Sequence, residues 1–384
     1  MMPRPAADIV LERVESRAEL KRFLAVPARV FAGDPNWVQP LNLERLEHLD
    51  PRKNPYFATA EVAYWTARRG GDLVGRISAQ VNRAHLERHQ DATGHFGFLD
   101  AIDDPGVFAA LTAAAEAWLR ERGLARTVGP FSLSINDESG LLVEGFETPP
   151  YLMMGHARPH YARHIEACGY EKACDLIAYL YDLTSEPPAV VAKTLDKLGR
   201  LTHVRIRPFD MDRFREEVET VAEIFNDAWA DNWSFVPLSK PEIAFLAKNL
   251  RPLVSPGHAA IAELDGEPVA MAVTLPNVNE AIADLGGRLL PFGWAKLLWR
   301  LKVRRTETAR LPLMGVRRRL QNTPLGASLA LAVIDAVRRY HAARGTKWGE
   351  LSWVLEDNAP ARRIIEMTGA TPYKTYRMYE KDLT

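Results

Sequence analysis

Asp34-Pro35-Asn36-Trp37-Val38-Gln39-Pro40-Leu41, near the start of the chain, returns near its middle as Asp231-Asn232-Trp233-Ser234-Phe235-Val236-Pro237-Leu238. Each stretch follows an amphipathic helix pattern and closes it with the same Asn-Trp…Pro-Leu turn. Downstream in each half a second match appears: Ala162-Arg163-His164-Ile165-Glu166-Ala167-Cys168-Gly169-Tyr170 against Ala361-Arg362-Arg363-Ile364-Ile365-Glu366-Met367-Thr368-Gly369-Ala370. Two matches in the same order, about one domain length apart, mark a duplicated domain. Differences between the copies then locate the chemistry.

Outward from these anchors the two halves run through the same elements. In the first, 9–11 reads as a strand and 18–32 as a helix. Strands 62–66 and 74–81 flank a turn at Arg69-Gly70-Gly71-Asp72, and 96–100 is a further strand. A helix over 105–122 is stopped by Gly123, and a strand 127–134, a short helix 161–167 and a strand 176–183 follow. In the second half the order is strand 204–207, helix 214–229, and strands 259–264 and 269–275 around Asp265-Gly266. Strand 311–316, helix 325–343, strand 349–355, helix 359–367 and strand 373–379 complete it. This alternation predicts an α/β fold with two tandem domains, each a mixed twisted sheet flanked by helices. The expected boundaries are 1–183, a linker helix over 184–202 opening with Ser185-Glu186-Pro187-Pro188, and 203–384. Two segments break the repeat: the turn-rich 136–159 and an insert of about 277–310, the places where specificity is expected.

With 49 Lys and Arg against 49 Asp and Glu, the net charge is zero, so no global field draws nucleic acid. Cys168 and Cys174 are too few for a disulfide framework or a zinc site, and no metal-ligand spacing such as His-x-x-x-His occurs. No signal peptide and no apolar run of about 18 residues is evident. The expectation is a cytoplasmic protein without a metal.

The strand Pro312-Leu313-Met314-Gly315-Val316 passes through Arg317-Arg318-Arg319 into Gln321-Asn322-Thr323-Pro324-Leu325-Gly326-Ala327 and a long amphipathic helix. A tight turn feeding a helix N-terminus offers unpaired N–H groups and the positive end of the helix dipole, which suits a pyrophosphate. Gly326 lets phosphate oxygens approach the backbone. In the first half the equivalent turn is Asp103-Asp104-Pro105-Gly106, where two carboxylates repel an anion.

Here the chain resembles the Gcn5-related N-acetyltransferase (GNAT) superfamily in its tandem form. That signature, Gln/Arg-x-x-Gly-x-Gly/Ala between a strand and a helix, is matched by Gln321 and Gly326, with Pro324 in place of the first glycine. The strand 350–355 and the run Asn358, Ala361 and Gly369 match the motif that follows. Ile365 stands where the family's tyrosine acid is common, and Ala370 where its phenylalanine is. The resemblance implies no permanently bound cofactor, acyl-CoA as co-substrate, a split sheet that admits the pantetheine arm, and direct attack of an amine on the thioester. On it the donor contacts fall to Gly315, Val316, Arg317, Gln321, Asn322, Thr323, Leu325, Gly326, Ala327 and Asn358.

With Ile365 unable to donate a proton, acid–base work falls to other side chains. Asp357, Glu350 and Tyr373 are the candidates; Asp357-Asn358 reads equally as a cap on the next helix. His258 opens a strand and is a group able to titrate near neutrality. Asn136 and Glu138, in the first-half insertion, are candidates for shaping the acceptor pocket. In the insert, Trp294, Leu297, Leu298 and Leu301 fall at i, i+3, i+4, i+7 beside a basic stripe of Lys296, Arg300 and Arg304. That pattern suits a lid or an anionic membrane interface on the inner face of the cytoplasmic membrane; it equally suits a helix with a solvated basic face. Asn136 to Leu142, the Asn-Trp-x-Phe-Val-Pro turn and Leu351-Ser352-Trp353-Val354-Leu355-Glu356-Asp357-Asn358 together resemble the bacterial group that includes ceramide synthases. That likeness implies a long-chain acyl-CoA donor and the amine of a long-chain base as acceptor. A cytosolic acetyltransferase of a small amine and a non-catalytic acyl-CoA sensor remain the alternatives.

Overall fold

Matching sequence signals set the helix ends in the two halves. Asp104 and Thr323 cap the two long helices at their N-termini, and Gly123 and Gly345, at φ +74° and +83°, stand just past their ends. The computed structural model describes residues 8–384, and the chain divides into two units.

Unit 1 holds the residues up to Leu176, with Ile282–Leu289 and Lys374–Thr384. Its elements are β1 (Ile9–Arg13), α1 (Arg17–Val30), α2 (Asn42–His48), β2 (Ala60–Arg69), β3 (Asp72–Asn82), α3 (Arg83–His89), β4 (Thr93–Ala101), α4 (Pro105–Arg120), β5 (Arg126–Gly129), β6 (Phe131–Ser132), β7 (Glu138–Ser139), β8 (Leu141–Glu144), α5 (His160–Ala167) and the first half of β9 (Glu171–Asp182). Strands β1 to β4 pair antiparallel in sequence order, and β4 pairs parallel with β5. One core lies between α1 and the sheet, where Phe23, Tyr64 and Phe98 meet edge to face.

Unit 2 holds Ile177–Ala281 and Leu290–Tyr373. It contains α6 (Ala189–Gly199), β10 (Val204–Pro208), α7 (Phe214–Ala228), α8 (Lys240–Leu250), β11 (Ala259–Leu264), β12 (Glu267–Pro276), α9 (Val278–Ile282), α10 (Gly293–Trp299), β13 (Thr308–Val316), α11 (Pro324–Ala342), β14 (Trp348–Leu355), α12 (Ala359–Met367) and the start of β15 (Thr371–Asp382). Its sheet runs β9-β14-β13-β12-β11-β10, with β13 and β14 parallel. Leu329, Val333 and Val337 of α11 pack on one face with Ala260, Ala262 and Leu351. Ile224 and Phe225 of α7 pack on the other with Ile261 and Met271.

The α/β fold with a mixed sheet flanked by helices in each half is as expected; the boundaries differ in two ways. The stretch 184–202 is not a linker, because Val191, Leu195 and Leu198 form one apolar stripe of α6, and Leu195 and Leu198 pack into the core around α11. The last strand of each half also falls outside the 1–183 and 203–384 division. From Lys374 onward β15 belongs to unit 1, where Tyr379 to Asp382 pair with Gly129 to Arg126 of β5. From Ile177 onward β9 belongs to unit 2, beside β14. Each of these strands therefore crosses the division between the units.

Candidate active site

The sheet of unit 2 opens at one place, and β13 causes it. Between the pairs Leu275↔Arg310 and Val273↔Leu313, two steps on β12 oppose three on β13, a bulge at Leu311-Pro312. Pairing with β14 stops at Leu311↔Leu351, next to Pro312, which has no N–H to donate. Met314 to Val316 stay paired with β12, so the edge of β13 toward β14 is left open.

Arg310 and Glu350 are register partners at the apex of this opening, 2% and 0% exposed. Leu351 points into the α11 core, so alternation turns Glu350 and Ser352 to the α7 face. The Ser352 hydroxyl donates to Glu350 Oε1 at 2.5 Å, Arg310 Nε donates to Ser352 Oγ at 3.1 Å, and Arg310 Nε stands 3.5 Å from Glu350 Oε1. The phenol of half-buried Tyr373 donates to Glu350 Oε2. A carboxylate this deeply buried needs its charge balanced and its lone pairs occupied. Arg310 supplies the counter-charge, while Ser352 and Tyr373 supply hydrogen bonds. Tyr373 is thus a hydrogen-bonded path from Glu350 toward the surface. Two predicted residues, Glu350 and Tyr373, are brought together; Arg310 and Ser352 were not singled out. Their signal was an arginine in an otherwise apolar strand and Glu/Ser alternation in the next.

Asp357 does not join this group. It lies on an exposed turn, and the Asn358 side chain accepts from Ala361 N at 3.2 Å as the cap of α12. Of this pair it is Asn358 that caps α12.

At the start of α11, Thr323 Oγ1 accepts from Gly326 N at 3.0 Å and donates to Leu320 O at 2.7 Å. A Cβ on Gly326 would lie 2.0 Å from the Leu320 carbonyl oxygen. Gly326 therefore lets the loop fold against itself, a different job from admitting a phosphate. Gln321 donates to the carbonyls of Ala228 and Val316, and Gly315 leaves room for Ala228 of α7. Val316 is core, Arg317 donates to Pro268 O, Arg318 pairs with Asp227 and Asp231, and Arg319 pairs with Glu267. The three arginines thus shape the loop against acidic neighbours. Ala327 N bonds Thr323 O, while among the described residues the N–H groups of Asn322, Thr323 and Leu325 have no protein acceptor. Those three remain to meet an anion at the positive end of the helix.

The first copy lacks both features. The Asp104 carboxylate accepts from Gly106 N and Val107 N at the start of α4 and pairs with Arg69, so the helix terminus holds its own anion. Pairing of β4 with β5 also stops early, at His95↔Val128, but β6 crowds the place beyond it. A Cβ on Gly97 would lie 1.7 Å from the Phe131 carbonyl oxygen. Asn136 lies in the turn before β7, its N–H donating to Ser134 Oγ. Glu138 is ion-paired with Arg45; burial alone would raise its pKa, but the guanidinium holds it below the usual carboxylate value. His258 is pushed down to about 4, chiefly by burial, and is neutral at pH 7 rather than poised to titrate there.

Within the insert the basic stretch is α-helical over Gly293–Trp299 and then widens into a π-helical turn over Arg300–Arg304. Trp294 and Leu298 are exposed, while Leu297 and Leu301 are partly covered. Arg300 is turned inward, donating to the Ala281 carbonyl at 2.7 Å, so the expected basic stripe is broken at its centre.

No family model matches the chain. It is 49% identical over 378 residues to the protein named bacterial ceramide synthase of Caulobacter vibrioides (strain NA1000 / CB15N), covering 98% of each chain. The chain belongs to the bacterial ceramide synthase family. It is likewise 49% identical to protein YghO of Escherichia coli (strain K12), over 96% of this chain and 94% of that one. Among solved structures, a tandem GNAT protein from the clavulanic acid biosynthesis pathway superposes with a TM-score of 0.57 at 16% identity, over 98% of this chain and 99% of that one. A GCN5-related N-acetyltransferase from Sphaerobacter thermophilus gives 0.53 at 14% identity, over 100% and 97%. The fold is that of a tandem Gcn5-related protein. As a member of the ceramide synthase family the chain is an N-acyltransferase.

Proposed function

We propose that this chain acylates the amine of a long-chain (sphingoid) base from a long-chain acyl-CoA, the step that forms a bacterial ceramide. The observation that carries this reading is the 49% identity, end to end, with a protein named for that product. Unit 2 is the donor-binding unit in this reading. The N–H groups of Asn322, Thr323 and Leu325 take the pyrophosphate, and the open edge of β13 takes the amides of the pantetheine arm. The opening at Pro312 and the self-capped α4 of the first copy support that assignment.

The acid–base pair is Glu350 and Tyr373. The amine lone pair forms the C–N bond at the thioester carbon and the C–S bond breaks. The proton lost by nitrogen passes through the Tyr373 hydroxyl to Glu350. CoA leaves as the thiolate and takes up that same proton, so the protein ends as it began. Arg310 holds Glu350 in place and balances its charge before the proton arrives and after it leaves.

The exposed side chains of Leu290, Phe292, Trp294, Leu298, Trp299 and Val303, with Lys296, Lys302, Arg304 and Arg305 among them, support peripheral contact with an anionic membrane on its cytoplasmic side. Among the described residues no helix is long and apolar enough to cross a membrane. The reaction is tested by CoA release with sphinganine-type bases against spermidine. Release is expected with the long-chain bases. Faster release with spermidine points to a small-amine acetyltransferase, and tight acyl-CoA binding without release to a sensor.

A further inference from the structure

Unit 2 contains an unfilled apolar cavity of about 110 Å³ between α7, α8 and the sheet. Leu275 of β12 and Leu313 of β13 form its floor, Val221 and Phe225 of α7 a wall, and Leu246 and Leu250 of α8 its cover. The polar groups at its edge, Ser255 and His258, are bonded to each other: His258 Nδ1 accepts from Ser255 N at 3.1 Å. Water therefore gains little there, and empty apolar space of this size costs a fold stability. The first copy shows that the repeat can fill this place, because Phe23, Tyr64 and Phe98 pack solidly between α1 and the sheet of unit 1. The cover is also lightly held. No residue of α8 is fully buried, although its first turn is secured by a Ser239–Glu242 capping box.

The position of the cavity relative to Glu350 follows from strand register. Leu275 pairs with Arg310, and Arg310 pairs with Glu350. Two strand spacings, about 10 Å, separate the cavity floor from the strand bearing Glu350, on the same face of the sheet. Leu313 follows the bulge on the strand whose open edge borders the donor gap. We propose that this cavity receives the hydrocarbon tail of the donor acyl group, with α8 as a cover whose packing sets the chain length accepted. The inference rests on the acyl-CoA reading above and adds to it where the acyl chain lies.

The test uses the full-length protein with Ala247→Trp, which fills the cavity from α8, and Leu246→Ala, which enlarges it. Binding of palmitoyl-CoA, octanoyl-CoA and CoA is measured by calorimetry, and thermal midpoints check that both variants fold. Ala247→Trp should weaken palmitoyl-CoA by at least about tenfold, since each methylene excluded is worth about fourfold. Octanoyl-CoA should lose less, and CoA itself should change by less than about twofold. Leu246→Ala should extend binding to longer chains. Because binding is read without turnover, a wild-type protein that acylates no amine would defeat the proposed reaction and leave this test standing. Equal weakening of palmitoyl-CoA and CoA, or none, overturns the proposal. So does a folded Ala247→Trp that keeps its acyl-length preference and instead shifts its preference among long-chain bases, since the cavity would then belong to the acceptor's tail.

Discussion

Glu350 shows how much a single position depends on its neighbours. In the sequence it is one acid near a strand start. In the fold it is wholly buried, with Arg310 opposite and hydroxyls from Ser352 and Tyr373 on its oxygens. If it holds the amine's proton, Glu350→Gln should lower kcat by about 10²–10⁴-fold. Affinity for acyl-CoA should stay nearly unchanged. Tyr373→Phe keeps the buried charge pair intact and should still cut kcat, separating proton transfer from stability. A folded Tyr373→Phe protein with wild-type turnover and pH profile would remove the tyrosine from the path. Gly326 carries a different lesson. The fold gives this glycine a structural reason of its own, the Leu320 carbonyl at its back.

At the scale of elements, the insert departs most from its sequence pattern. Apolar positions at helical spacing describe α10, but the π-helical turn after Trp299 rotates the residues beyond it. Arg300 then bonds the Ala281 carbonyl, while Lys302 reaches the carbonyl of Pro252. The protein should co-sediment with anionic vesicles, and less with neutral ones, and be released by salt. Replacing Lys296, Arg304 and Arg305 by Glu should release it at low salt. Equal sedimentation with neutral vesicles would count against an electrostatic role for this segment.

At the scale of the whole molecule, buried imidazoles set an acid limit. Burial is the main cause that pushes His95 and His341 down to about 3 and His258 to about 4, from an ordinary value of 6.5. Between these values the unfolded chain binds protons that the folded one refuses, so stability must fall as pH drops from about 6.5 toward 4. Each histidine contributes a slope of up to about 1.4 kcal/mol per pH unit in that window. Carboxylates held below their ordinary value, such as Asp34 and Asp91, lose their contribution at lower pH. Thermal midpoints should decline across the imidazole window, and His258→Gln should flatten part of the decline. A midpoint constant from pH 7 to about pH 4.5 would show that these side chains gain protons without opening the fold.

The sequence by itself determined the duplication, the order of elements, the glycine and capping residues that end the helices, and the one copy whose long helix opens without a carboxylate. These are local properties: a turn, a cap or an alternation needs only neighbours along the chain. Tertiary structure decided which half owns each last strand, because strand pairing joins residues far apart along the chain, as Tyr379 to Asp382 join β5. It also decided which acid is buried. Asp357 and Glu350 are alike as letters, and only the bulge at Leu311-Pro312, with Arg310 across the strand, makes one a buried, hydrogen-bonded carboxylate and leaves the other on an exposed turn. The cavity under α8 was beyond the sequence for the same reason. Empty space is set by how well distant side chains meet, and the chain carries no mark for a contact that is not made.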